Sequence, residues 1–437
     1  MARQRKKKKQ TTRGKKDKIQ QQQLEYDKDE LQEQRKKDEI LEAIQIQDLD
    51  KLRLLGRQPN GFVSNSLRRK VWPLLLHCPQ WNKQNKKYYM PHKDEQQVLL
   101  DVARSLGTYP KGLSEKKKKK LQKELNHVIV QVLRKYPKLH YYQGFHDVCT
   151  VFLLLFESQE GASQLMGHVA LFYLRDAMLE SLEPILRELT LLDTLFRLED
   201  EELHQFLQMT GVLPYYCLSW VITWFSHDLD DLPSIYQLFD VFLSSNPMMP
   251  LYASAALVMM HRDTILNHFS MDDPSTVHSY LSKLPQQRHL DVTRWIKWMV
   301  DLENKWNPLL VQKYGNVALD QVSSINTHHS LLFSTTSIYL SRQRHHHQQQ
   351  QQYQQLLENN VEEWVTQACD VLTLPPLDRL PLNLDVIKSS KSINMIPPFL
   401  TYSSSPPWKM ILVSAVGLGT AAILVAHRPD IISSWSY

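Results

Sequence analysis

Residues 121–156 read LQKELNHVIVQVLRKYPKLHYYQGFHDVCTVFLLLF. Leu121, Leu125, Val128, Ile129, Val132 and Leu133 recur at three- and four-residue intervals, the stripe of an amphipathic helix. Pro137 must end that helix, because proline lacks the N–H and disfavours helical backbone at the residue before it. A short polar stretch follows, then the apolar run Val148–Phe156. The same period returns at Leu165–Met178, Leu189–Met209, Leu218–Phe225, Ile235–Leu243 and Pro250–Leu266, with no sustained alternation of period two. The expectation is an all-α domain. Only 12 glycines occur in 437 residues, against an average usage of roughly 7%. Few positive-φ turns can be built from them, which argues against a β-sandwich, a barrel or a glycine-rich phosphate loop.

Outward from this block the chain changes character. Residues 1–20 hold ten Lys/Arg and one acid, a local +9 within a net charge of +6, so the other 417 residues sum to −3. Such a segment buries too little apolar surface to offset its ordering entropy and is expected to be disordered. Contact with anionic lipid and plain solubility are equal readings of it, and it does not make this a nucleic-acid-binding protein. A weak helical pattern runs from Ile19 to Leu49. Residues 1–47 are read as a basic, Gln-rich tail, 48–305 as the helical domain, and 306–408 as a linker carrying a His/Gln tract and many prolines. The stretch 410–426 has 17 residues without a charge. As a helix it spans roughly 25 Å, near the lower limit for a bilayer. Residues 409–427 are read as a transmembrane tail anchor and 428–437 as a short lumenal tail. Lys388, Lys391 and Lys409 against Arg428 alone keep the large domain cytosolic, and a short span suits the thin reticulum bilayer. The four cysteines at 78, 149, 217 and 369 form no C-x-x-C pair, so neither a disulfide framework nor a zinc ribbon is expected.

The usual catalytic signatures are missing: no G-x-x-x-x-G-K-[ST], H-E-x-x-H or G-x-S-x-G occurs. Two polar spots stand out. In Gln97–Ser105, Asp101 and Arg104 are i, i+3 neighbours on a helix whose Val98, Leu99 and Val102 are expected to face the core. Spacing alone reads that pair as a surface ion pair. In Leu139–Asp147, Gly144 permits a turn that exposes Gln143 at the start of the next helix. Spacing alone reads it as a helix N-terminus packed by Tyr141 and Tyr142.

Three motifs in order go further. Arg68-Arg69-Lys70-Val71-Trp72 resembles the opening R-x-x-V-W motif of the TBC domain, the helical module of Rab GTPase-activating proteins. Val98-x-x-Asp101-x-x-Arg104 resembles its I-x-x-D-x-x-R motif, and Tyr141-Tyr142-Gln143-Gly144 its Y-x-Q-G motif. Tyr173–Asp176, Ser219–Phe225 and Leu238–Asp240 also match, and the resemblance covers roughly residues 50 to 290, with a motif core at 61–262. It implies an activator acting in trans on a GTP-loaded Rab. Arg104 would supply transition-state charge and Gln143 would place the water. Asp101 would hold the surroundings of Arg104, Tyr141 and Gly144 would support Gln143, and Trp72 with Arg68 or Arg69 would form the framework. No cofactor is expected of the chain itself, since the partner Rab brings GTP and Mg²⁺. Phe145-His146 stand where many members carry Met-Asn. Together with the apolar tail, the resemblance points to the reticulum-anchored branch and to Rabs of the early secretory pathway. The alternative is a catalytically silent, membrane-tethered Rab-binding scaffold, which would have no need of Arg104 and Gln143.

Overall fold

Ser64, Ser114, Ser158, Asp231 and Asp291 each accept the backbone N–H three residues on, so helices open where side-chain caps meet the apolar periodicity. The computed structural model describes residues 30–78, 81, 88–287, 290–332, 361–375 and 379–386. In chain order the helices are α1 (30–46), α2 (Leu49–Gly56), α3 (Asn65–Leu75), α4 (Glu95–Arg104), α5 (Glu115–Lys135), α6 (Phe145–Phe156), α7 (Gln159–Phe172), α8 (Glu183–Leu189) and α9 (Leu191–Glu199). There follow α10 (Glu201–Thr210), α11 (Leu218–Ile222), α12 (Leu232–Leu243), α13 (Met249–Met260), α14 (Arg262–His268), α15 (Pro274–Leu281), α16 (Val292–Lys305), α17 (Pro308–Gly315), α18 (Ser324–Leu332) and α19 (361–373). Among the described residues the one β-type pairing is an isolated bridge between Asp320 and Pro381. The all-α expectation holds.

Helix α5 stops at Lys135, just before Pro137, and α6 packs with both α5 and α7. Phe145, Val148, Cys149, Val151, Phe152 and Leu155 of α6 are wholly buried. Around them lie fully enclosed aromatic side chains, Trp72, Trp220, Trp224 and Trp295 among them. Trp72 touches Phe152 of α6 and stacks on Phe239 of α12, with ring centroids 5.1 and 6.0 Å away. Aromatic pairs of this kind add about 0.5–1.5 kcal/mol each beyond their area.

The packed body is larger than the span 48–305 delimited from sequence. Helix α1 buries Ile40 and Ala43, and Lys36 Nζ donates to Pro59 O at 2.8 Å. Burial pulls the Lys36 ammonium down to about 8. Two apolar positions in a highly charged helix are too few for periodicity to reveal. On the other side, α17 and α18 pack on the domain, Ser324 N and Oγ both donate to Asp176 Oδ2 at 2.8 Å, and α19 buries Trp364, Ala368 and Leu372. The described parts of 306–386 therefore belong to the body where a linker is expected. The basic run, the His/Gln tract, the span 409–427 and the tail 428–437 lie outside the described residues. Among the described residues no helix is long and apolar enough to cross a membrane.

The stretch Leu218–Phe225, expected as one helix, breaks at Ile222. Trp224 and Phe225 take left-handed backbone, with φ of 52° and 61°. Such residues cost about 1–3 kcal/mol each and persist where packing over-determines them. Here Trp224 lies edge-on to Tyr173, Phe239 and Phe242, and Phe225 edge-on to Trp295. Tertiary burial of two aromatic rings overrides the local helix.

Candidate functional site

Helix α4 carries Arg104 at its last turn, where a cation suits the negative end of the helix dipole. Its other end is held by Arg134 of α5, whose Nε and Nη2 donate to Glu95 at 2.7 and 2.8 Å. The buried stripe is Val98, Asp101, Val102 and Ser105, an i, i+3, i+4, i+7 set. Leu99, expected in the core, is 53% exposed instead. The carboxylate occupies the stripe that an apolar side chain would normally fill.

Asp101 is 0% exposed, so it requires partners. Oδ1 accepts from Gln97 Nε2 at 3.0 Å and from Arg104 Nη2 at 2.5 Å, while Oδ2 accepts from the Tyr141 hydroxyl at 2.9 Å. The Arg104 side chain is 61% exposed. The pair is thus half surface and half core: a buried anchor with a guanidinium reaching outward from it.

The segment after α5 brings Gln143 to the same cleft. Tyr141 N donates to Asp94 Oδ2 at 2.9 Å, and the Tyr142 hydroxyl to Ile222 O at 2.7 Å. Gly144 sits at φ 117°, and a Cβ there would lie 2.8 Å from Thr223 Cγ2. Only glycine fits. Gln143 between them is half-buried, and among the described residues its carboxamide makes no hydrogen bond. Arg104 and Gln143 line one open cleft of about 1020 Å³, together with Tyr109, Thr223 and His227.

Sequence reasoning missed a chain of polar groups in the cleft. The Tyr141 hydroxyl gives its proton to Asp101, leaving its oxygen to accept from His146 Nδ1, 3.0 Å away. His146 Nε2 lies 3.5 Å from Asp147 Oδ1, and Asp147 Oδ2 meets His227 Nδ1 at 3.0 Å. This hydrogen bond to Asp147 pushes His227 up to about 9, and burial pushes its neighbour Asp228 up to about 6. His227 is 80 residues from Asp147, beyond any motif spacing. Among the described residues no group of three metal-ligating side chains gathers.

Behind the cleft, Asp240 is buried and accepts from Phe62 N at 2.9 Å, Arg68 Nε at 2.9 Å and Trp72 Nε1 at 2.7 Å. Burial still raises its carboxyl above the ordinary range. Arg68, not Arg69, is the buried framework residue; Arg69 is partly exposed and bonds Leu155 O and Glu157. The network clamps α3 directly to α12, and Trp72 of the same network packs on Phe152 of α6, the helix whose N-terminus follows Gln143.

The family description Rab-GTPase-TBC domain matches residues 65–266. The chain is 36% identical over 253 residues to TBC1 domain family member 20 of Bos taurus, covering 57% of this chain and 62% of that protein. It is 33% identical over 270 residues to GTPase-activating protein gyp10 of Schizosaccharomyces pombe, covering 60% of this chain and 70% of that one. GTPase-activating protein GYP8 of Saccharomyces cerevisiae is 29% identical over 302 residues, at 60% coverage of each. The chain thus spans about three-fifths of the length of the mammalian relative that it matches. With the three motifs in order on an all-helical body, this chain belongs to the RabGAP-TBC family.

Proposed function

We propose that this chain accelerates GTP hydrolysis on a Rab GTPase by lending it Arg104 and Gln143. One observation supports the reading above all: two polar side chains from separate elements, 39 positions apart, line the same open cleft. Hydrolysis on a small GTPase is slow because charge on the β- and γ-phosphate oxygens is poorly compensated and the attacking water poorly oriented. A guanidinium is planar, permanently charged and rich in donors, so Arg104 bridges those oxygens where a lysine would offer a point charge. A carboxamide both accepts from water and donates to phosphate, the task given to Gln143. Asp101 holds Arg104 through one terminal guanidinium nitrogen, Nη2, and leaves the rest of its donors free for phosphate, while Tyr141 and Gly144 shape the turn that carries Gln143. GTP and Mg²⁺ arrive with the partner, so the chain needs no cofactor of its own.

We also propose attachment to the reticulum membrane through 409–427, with the helical body facing the cytosol and acting on Rabs of the early secretory pathway. Support comes from the charge-free stretch 410–426 and the lysine bias on its long side. Contact of the basic N-terminus with anionic lipid belongs to the same proposal.

The test is phosphate release from a panel of GTP-loaded Rabs with the full chain and with Arg104→Ala and Gln143→Ala. A loss of roughly 10³-fold or more is expected for Arg104→Ala on the preferred Rab. Stimulation surviving both changes removes the assignment, and binding without stimulation by the unaltered chain favours a scaffold.

A further inference from the structure

His227 reaches the cleft by a route that a surface histidine does not need. The helix α11 stops at Ile222, and two consecutive aromatic residues in left-handed backbone reverse the chain before it. That turn is already secured without the imidazole. The Tyr109 hydroxyl donates to Ser226 O at 2.7 Å, Ser226 Oγ donates to Thr223 O at 2.6 Å, and the Trp224 and Phe225 rings are buried. The outcome is a side chain 61% exposed in the lining of the same cleft, four positions from Thr223, whose methyl leaves no room for a Cβ at Gly144 beside Gln143.

Its two nitrogens are differently placed. Nδ1 is bonded to Asp147, and among the described residues Nε2 meets no acceptor. Asp147 keeps the ring protonated at neutral pH, so Nε2 carries a hydrogen ready to donate. One directional donor fits one acceptor oxygen. Asp147 and Asp228 lie alongside, and they would repel a multiply charged phosphate more than a single carboxylate.

We infer that His227 is a partner-binding residue, its Nε2–H donating to a carboxylate on the surface of the docked GTPase. The inference rests on the reading that a GTPase docks over this cleft. It adds a contact that sets affinity, separate from the groups that act on phosphate and water. His227 then works on binding and leaves the chemical step alone, whereas Arg104 works on the chemical step.

Steady-state kinetics on the preferred GTP-loaded Rab, with the full chain and its His227→Gln and Asp147→Asn variants, test this. For His227→Gln, KM is expected to rise roughly tenfold or more, the usual effect of losing a charge-assisted interface hydrogen bond, with kcat within about twofold. For Asp147→Asn, which keeps the shape but weakens the charge on the ring, KM is expected to rise by a smaller factor. Circular dichroism at the assay temperature checks that both variants stay folded, and Asp147→Asn decides the matter should His227→Gln unfold. An unchanged KM overturns the inference. So does a fall in kcat at constant KM, which would assign His227 to the nucleotide. An unaltered chain that neither binds nor stimulates any Rab defeats the activator reading and this inference with it, while stimulation with unchanged KM in the variants defeats this inference alone.

Discussion

Asp101→Asn separates holding the guanidinium of Arg104 from the chemistry proposed for it. Three donors converge on the Asp101 carboxylate: Gln97 Nε2, Arg104 Nη2 and the Tyr141 hydroxyl. An amide in that place has one acceptor oxygen and adds two hydrogens of its own, so at least one buried donor loses its partner. That costs about 1–3 kcal/mol of stability. Arg104 is 61% exposed, and among the described residues the 2.5 Å bond to Asp101 is its one hydrogen bond. A free arginine side chain carries about 2 kcal/mol of rotamer entropy. Re-ordering most of that in the transition state slows the chemical step by a factor of about 10–30. Removing the guanidinium itself, in Arg104→Ala, should slow it by about 10³–10⁵. The assay is single-turnover phosphate release at saturating activator, so that docking affinity does not enter. Asp101→Asn at the wild-type rate would refute the positioning argument. Asp101→Asn as slow as Arg104→Ala would refute it from the other side, since the carboxylate would then do more than hold.

Gly144→Ala should be destabilised by about 1–3 kcal/mol from its φ of 117° and the contact with Thr223, and should lose activation as Gln143 shifts. Adding Thr223→Ser relieves the contact but not the backbone, so only part of the loss should return in thermal melts. Arg68→Ala leaves the buried Asp240 without its cation and should cost about 3–5 kcal/mol in urea titrations; replacing Arg68 and Asp240 together by apolar residues of similar volume should recover most of it. His168, enclosed and bonded through Nδ1 to Leu76 O, is pushed down to about 4 by burial. The unfolded chain binds the extra proton between about 6.5 and 4, so this histidine's contribution is present above pH 6.5 and lost as pH falls through 4. Roughly 3 kcal/mol of acid destabilisation follows. His168→Asn should flatten the stability profile over that window, and an unchanged profile would count against the assignment.

Local rules made the helical body readable but not its limits. The stripe of α5 and the stop at Pro137 are decided within a few residues of one another, and both reappear in the fold. Helical pattern is legible at α1 and around Leu356–Leu372, but the packing of these helices on the domain is not: α1 is held by Ile40 and Ala43 in a charged segment, and Trp364, Ala368 and Leu372 of α19 acquire meaning only against the domain they cover. No local preference places Trp224 and Phe225 in left-handed backbone. Their partners Tyr173, Phe242 and Trp295 lie 18 to 70 positions away.

The site follows the same division. Arg104 and Gln143 were visible as residue types through motif order, yet spacing alone read Asp101–Arg104 as an ordinary surface pair. What alters that reading is the Tyr141 hydroxyl, which arrives from 40 positions away and helps make a wholly buried carboxylate tenable beside an exposed guanidinium. A chain that needed only a surface ion pair would have no use for that buried anchor. The asymmetry in burial, one partner sealed and the other reaching into the cleft, is what a residue presented to another molecule requires: one guanidinium nitrogen fixed on a buried carboxylate, the other donors left for the partner.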